Sequence, residues 1–176
     1  MFGAALFGLV GLAVLSTPSI GEDLGLTLLV VVLVVAGRSI SFPINAAGSS
    51  HMGTPALIAG VLLLEPTLAI CSIAAGAAIS EILQRRPLRQ GIFNIGQAIV
   101  QAFIASGILL LAGWNASQPD FTDPLLIAVA FVAGACAIAV SALLVSVSAR
   151  LDGRGSLAPM FVGMLIGDDE RTYYLD

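Results

Sequence analysis

Apolar residues in this chain come in unbroken blocks rather than at the alternating or one-faced spacing of a water-soluble fold. Blocks at 1–15, 24–37, 56–64, 66–83, 91–113 and 124–149 are separated by short polar or Pro/Gly punctuation. A helix that is apolar all round belongs inside a large core or a bilayer. The Val-rich run VVVLVV at 30–35 would suit a buried strand in water, but a lone strand in lipid leaves its backbone groups unsatisfied, so a helix is expected there too. Block 1–15 falls short of the roughly 20 residues that cross a bilayer, and its small residues, such as Ala4 and Gly8, suit close helix packing.

Punctuation predicts where elements begin and end. The segment 39–53, SISFPINAAGSSHMG, is broken by Pro43, Gly48 and Gly53, and is expected to be a cytoplasmic or re-entrant loop or a short hairpin. Thr54-Pro55 has the cap and first-turn proline of a helix start, and Glu65-Pro66 breaks the next run after only a half-span. From Pro66, 18 residues give about 27 Å at the helical rise, nearly a full crossing. Short segments interrupted by proline border the binding sites of many transporters. Trp114 closes block 91–113, where an interfacial aromatic belongs, and Asp123-Pro124 caps and opens the last long block. Beyond it, PMFVGMLIG at 159–167 is too short to cross and reads as an interfacial or docking segment, followed by a charged, solvated end.

These elements predict an all-α fold: a polytopic integral membrane helix bundle of about six transmembrane helices, one of them short or broken near Glu65-Pro66. The bundle would occupy 1–155, with an interfacial segment and charged tail at 156–176. Charge then sets the direction. All seven basic residues are arginine, and Arg85, Arg86 and Arg89 form a compact turn with Pro87. Placing that turn in the cytoplasm by the positive-inside bias puts both termini, Arg38, Arg150 and Arg154 on the same side, with Glu22, Asp23, Glu65, Asp120 and Asp123 outside. A five-span alternative, with 56–64 re-entrant, separates the termini and moves Arg38 outside.

Composition narrows the class. With 58% hydrophobic and 10% charged residues, against about 25% charged in ordinary globular chains, no polar skin could cover a soluble core. No basic face exists for nucleic acid. The N-terminus lacks the positive region of a secretory signal, so a retained helix is expected. Cys71 and Cys136 stand singly inside apolar blocks, as small buried hydrophobes do, and imply neither metal nor cofactor.

Candidate chemistry is sparse. Asn94, Gln97 and Gln101 recur at i, i+3 and i+7 on one helix face, where amides must look into the bundle. They read either as the polar wall of a ligand site, with His51 from the preceding loop, or as interhelical hydrogen bonds. Glu81 precedes Arg85 by four residues, the spacing of an ion pair on one helix face near the interface. Ser141, Ser146, Ser148, Ala98 and Ala102 read as close-packing positions. No metalloprotease motif, nucleophile elbow or phosphate loop is present, which argues for a non-enzymatic role.

The order LLLEP (62–66), small apolar helix, SEILQRRPLRQGIFNIGQ (80–97) resembles the membrane modules that precede some bacterial HD-type phosphodiesterase and diguanylate cyclase domains. The arginine-rich turn at 85–89 and Phe93, Asn94 and Gln97 carry that resemblance, while Glu65 stands where the pattern has a small residue. The helix-Pro-helix layout is also similar to the substrate-binding subunits of energy-coupling-factor transporters, six helices with both termini cytoplasmic. The likeness covers about 39–112. With the chain ending at Asp176, it implies a membrane module without cyclase or phosphodiesterase activity, in the inner membrane of a bacterium. Two functions follow as expectations. One is a module that binds or senses a small molecule and docks a partner; the other is an accessory subunit of a larger membrane complex with no ligand of its own.

Overall fold

The structure is a computed structural model that describes residues 24–45, 48–51, 53–115 and 122–151. The described residues form five helices: α1 (Leu24–Ser39), α2 (Gly53–Leu63), α3 (Pro66–Leu83), α4 (Leu88–Leu111) and α5 (Pro124–Leu151). Between α1 and α2 the chain forms the hairpin β1 (Ser41–Asn45) and β2 (Gly48–His51), antiparallel, with Ser41 opposite His51 and the register shifting between Pro43 and Asn45. Pro43 has no N–H to donate, and a two-stranded ribbon, being all edge, tolerates that. Of the readings for 39–53, the hairpin is therefore the one adopted.

Proline and capping residues set two helix starts where the sequence places them. Pro66 is the first residue of α3, with Glu65 as N-cap. Pro124 opens α5, and the Asp123 carboxylate accepts the Leu125 N–H at 2.8 Å. Both α3 and α4 end in Schellman turns, in which the backbone folds back on the last helical turn. At α3, Arg85 N–H donates to Ile82 O and Arg86 N–H to Glu81 O; at α4, Gly113 and Trp114 donate to Leu110 and Leu109. The turning residue has positive φ in each, 84° at Gly113 and 52° at Arg85.

Helices α1, α3, α4 and α5 pack in that order as a curved row, and the short α2 lies against all four. Packing is close because glycines receive valines. Val30 of α1 seats on Gly60 of α2, and Val34 on Gly76 of α3; a Cβ on either glycine would fall 2.8 Å from the facing valine carbon. Alanines fill much of the remaining core, including Ala69, Ala77, Ala98, Ala102, Ala105, Ala133 and Ala137. Ala98 and Ala102 thus hold the close-packing positions expected of them. Larger side chains, Leu57, Leu64, Ile73, Ile99 and Leu109, complete the core, while Leu28, Val32, Phe103, Leu111, Leu125 and Phe131 are among the large apolar side chains left exposed. Small residues that let helices approach closely, with large apolar groups on the outer faces, are the arrangement of helices packed in lipid.

Among the described residues, three helices are long and apolar enough to cross a membrane: α3, α4 and residues 124–148 of α5. At 16 and 11 residues, α1 and α2 are shorter apolar helices, about 24 and 16 Å long. The apolar block 1–15, the acidic residues Glu22, Asp23 and Asp120, and everything after Leu151, Arg154 included, lie outside the described residues.

Candidate functional site

Polar groups gather where α1 and α3 end and α4 begins. Glu81, in the last turn of α3, is only 5% exposed, yet it carries an ionisable carboxyl among apolar helices. Its Oε1 accepts from Arg38 Nη2 at 2.8 Å and from Asn94 Nδ2 at 3.1 Å, while Arg86 Nε stands 3.8 Å from Oε2. One carboxylate therefore joins α1, the turn after α3, and α4. Gln84 extends the node: its amide donates to Ser80 Oγ at 2.8 Å and to Arg38 O at 3.1 Å, satisfying a carbonyl at the end of α1. Gly91 at the start of α4 lies beside Glu81, where a Cβ would make an ordinary contact at 3.6 Å. A buried ion pair costs desolvation and stabilises only if its remaining hydrogen-bonding groups are met. Here Asn94 meets part of that need, while Arg38 Nε and Glu81 Oε2 stay buried without a hydrogen-bond partner.

This geometry changes the expected ion pair. Glu81 pairs with Arg38 and Arg86, not with Arg85. The i,i+4 spacing to Arg85 assumes a continuous helix, but α3 stops at Leu83 and the left-handed backbone at Arg85 leaves its side chain exposed. Nor does Glu81 reach outward along the interface; it is drawn inward by a partner 43 residues away.

The amide face divides among three fates. Asn94 is bound to Glu81, and Gln97 donates across to α5, to Ser141 Oγ at 2.6 Å and Ser141 O at 3.2 Å. Gln101 is buried and makes no side-chain hydrogen bond among the described residues. His51 lies on β2, its backbone opposite that of Ser41. On α5, Ser146 turns its hydroxyl back to Ala142 O at 2.8 Å.

A cleft of about 150 Å³ opens at the other end, lined by Val61, Leu64, Pro66, Ser106, Leu109 and Trp114, with Glu65 and Asn115 at its edge. Drug-sized ligands occupy clefts of roughly 300–1,000 Å³, so this one admits only a small group. Ser106 Oγ is buried there without a partner. Trp114 does not sit in an outer belt: the Schellman turn carries it inward, where it is 7% exposed and its indole N–H donates to Leu62 O at 3.3 Å.

Among the described residues no group of three or more His, Cys, Asp or Glu is placed to hold a metal ion, and Cys71 and Cys136 are free thiols. No family model, curated protein or solved structure matches the chain.

Proposed function

We propose that this chain is a non-enzymatic, multi-pass membrane module that acts by docking a partner protein, as an accessory or coupling subunit of a larger membrane complex. The observation that supports it is the fate of the amides. Asn94 and Gln97, which would have to wall a ligand cavity, spend their hydrogen bonds on Glu81 and Ser141. Their role in this reading is to hold α4 against α3 and α5. Such interhelical bonds are worth about 0.6 kcal/mol each in a bilayer, with charged partners contributing more. The membrane modules that 39–112 resembles fit the same kind of role.

A second reading keeps a small ligand but moves it. The Ser106 hydroxyl at the cleft between α2, α3 and α4 favours a small polar molecule there, rather than one held by Asn94, Gln97, Gln101 and His51. Purification from native membranes in mild detergent, followed by native mass spectrometry, separates the two. The docking reading predicts a stoichiometric protein partner and no retained small molecule. A stoichiometric small molecule without a protein partner would overturn it.

The topology proposed with this function has six crossings in a bacterial inner membrane, with both termini and the 85–89 turn in the cytoplasm. Its support is the sorting of charge, since Arg38, Arg85, Arg86, Arg89 and Arg150 fall at one end of the bundle, and Glu65 and Asp123 at the other. With Cys71 and Cys136 replaced by alanine, single cysteines at Gln90 and Asn115 should react with an impermeant thiol reagent from opposite sides of the membrane. Labelling of both from one side would sink this topology.

A further inference from the structure

The turn between α3 and α4 combines two kinds of exposed side chain that normally avoid each other. Arg85 and Arg89 are exposed, and beside them Ile82, Leu83 and Leu88 are 74%, 65% and 80% exposed. In water such a cluster would be a liability, because large apolar side chains at a loop have nothing to bury against. At a membrane surface both kinds are satisfied at once: the aliphatic groups enter the acyl boundary, and the guanidinium groups reach the headgroup level.

The sign of the field at this end is also fixed. Glu81 is the one acidic side chain there among the described residues, and it is buried and already paired with Arg38 and Arg86. Arg150 joins the same end. Gln97 of α4 bonds Ser141 of α5, and Arg150 lies nine residues further along α5, in its last turn, as the start of α4 lies nine residues before Gln97. The result is an end of the bundle where the exposed charges are positive, with apolar flanks on the same turn.

We propose that the 82–89 turn is a recognition surface for anionic phospholipid headgroups, with Arg85 and Arg89 engaging the phosphates while Ile82, Leu83 and Leu88 enter the adjacent acyl layer. An anionic headgroup gains about 1 kcal/mol for each arginine held near the surface, a preference of about five-fold per side chain. Reversible monodentate contact suffices for this, and Arg85 is exposed while the ion pairs of Glu81 go to Arg38 and Arg86. The surface goes beyond the partner-docking reading and does not depend on it.

The test is lipid retention. The full chain is reconstituted in nanodiscs of equal phosphatidylcholine and phosphatidylglycerol, extracted, and the lipids that remain bound are counted by native mass spectrometry. Wild type should retain phosphatidylglycerol over phosphatidylcholine, and the preference should fall in high salt. Arg85→Gln with Arg89→Gln should lower it by about twenty-five-fold, the product of two five-fold effects. Asp123→Asn, at the opposite end, should leave it unchanged and controls for handling. Leu88→Gln should weaken retention of both lipids without altering their ratio, which tests the apolar flank separately. Equal retention of both lipids by wild type, or an unaltered ratio in the double arginine variant, would overturn the proposal. So would competition by inorganic phosphate, because that would make the site one for a soluble anion.

Discussion

Arg85 is where backbone geometry and side-chain chemistry pull hardest against each other. Its φ of 52° closes the Schellman turn that ends α3, a position where glycine carries no Cβ penalty. Gly113 fills the equivalent place after α4. Replacing Arg85 with glycine should therefore stabilise the bundle by about 1 kcal/mol, read as a rise in the melting temperature in detergent. A loss of stability would mean that the arginine side chain contributes more to the fold than its backbone costs. The same residue explains why the ion pair was only half legible in the sequence. Glu81 stood out as an acid inside an apolar block, and a local partner four residues on was the natural choice. Arg38 could not be chosen from spacing, because only the packing of α1 on α3 brings it within 2.8 Å.

At the level of elements, the starts of α3 and α5 could be read directly. Pro66 and Pro124 occupy first-turn positions that need no N–H, and Asp123 supplies a cap. Ends were harder. Trp114 reads as a belt residue in the sequence, but the turn after α4 carries it inward; α2 is the half-span expected, at 11 residues, and packs against every other described helix. Its close approach to α1 rests on a small residue, Gly60, which admits Val30, just as Gly76 of α3 admits Val34. The clash distances give these sites different consequences. At Gly76 a new methyl would lie 2.8 Å from Val34 Cβ, 2.9 Å from its Cγ1 and 3.0 Å from Val31 O. A valine in a helix has one strongly preferred rotamer and a backbone oxygen cannot move aside, so α1 and α3 must part. Gly76→Ala should cost about 1–3 kcal/mol. Gly107, inside α4 with nothing within 4 Å of its would-be Cβ, provides the opposite case: Gly107→Ala should gain up to about 1 kcal/mol. Parallel thermal unfolding of the two variants checks both signs, and equal losses would refute the packing of α1 on α3 described above.

Across the whole molecule, hydropathy made a helical membrane bundle legible, and the many large apolar side chains left exposed on its outer faces agree with it. The use of the polar residues was not legible, because an amide face looks the same in sequence whether it faces a cavity or a neighbouring helix. In the folded chain Gln97 bonds α5, the Gln101 side chain bonds no described side chain or backbone group, and Asn94 joins a charged node that closes α1, α3 and α4 at their basic ends. That node is what makes a structural role for these groups more economical than a ligand wall, and its energy can be measured. Arg38→Met leaves Glu81 with its strongest partner gone; Glu81→Leu leaves Arg38 without a counter-charge. Each should destabilise the protein by about 3 kcal/mol or more, since each strands a buried charge. In the double variant neither charge is stranded, so reversible unfolding in mixed micelles should show a loss smaller than the sum of the singles by about 1–3 kcal/mol. Strictly additive losses would show that Arg38 and Glu81 do not act on one another, and would contradict the account of how this bundle is held together.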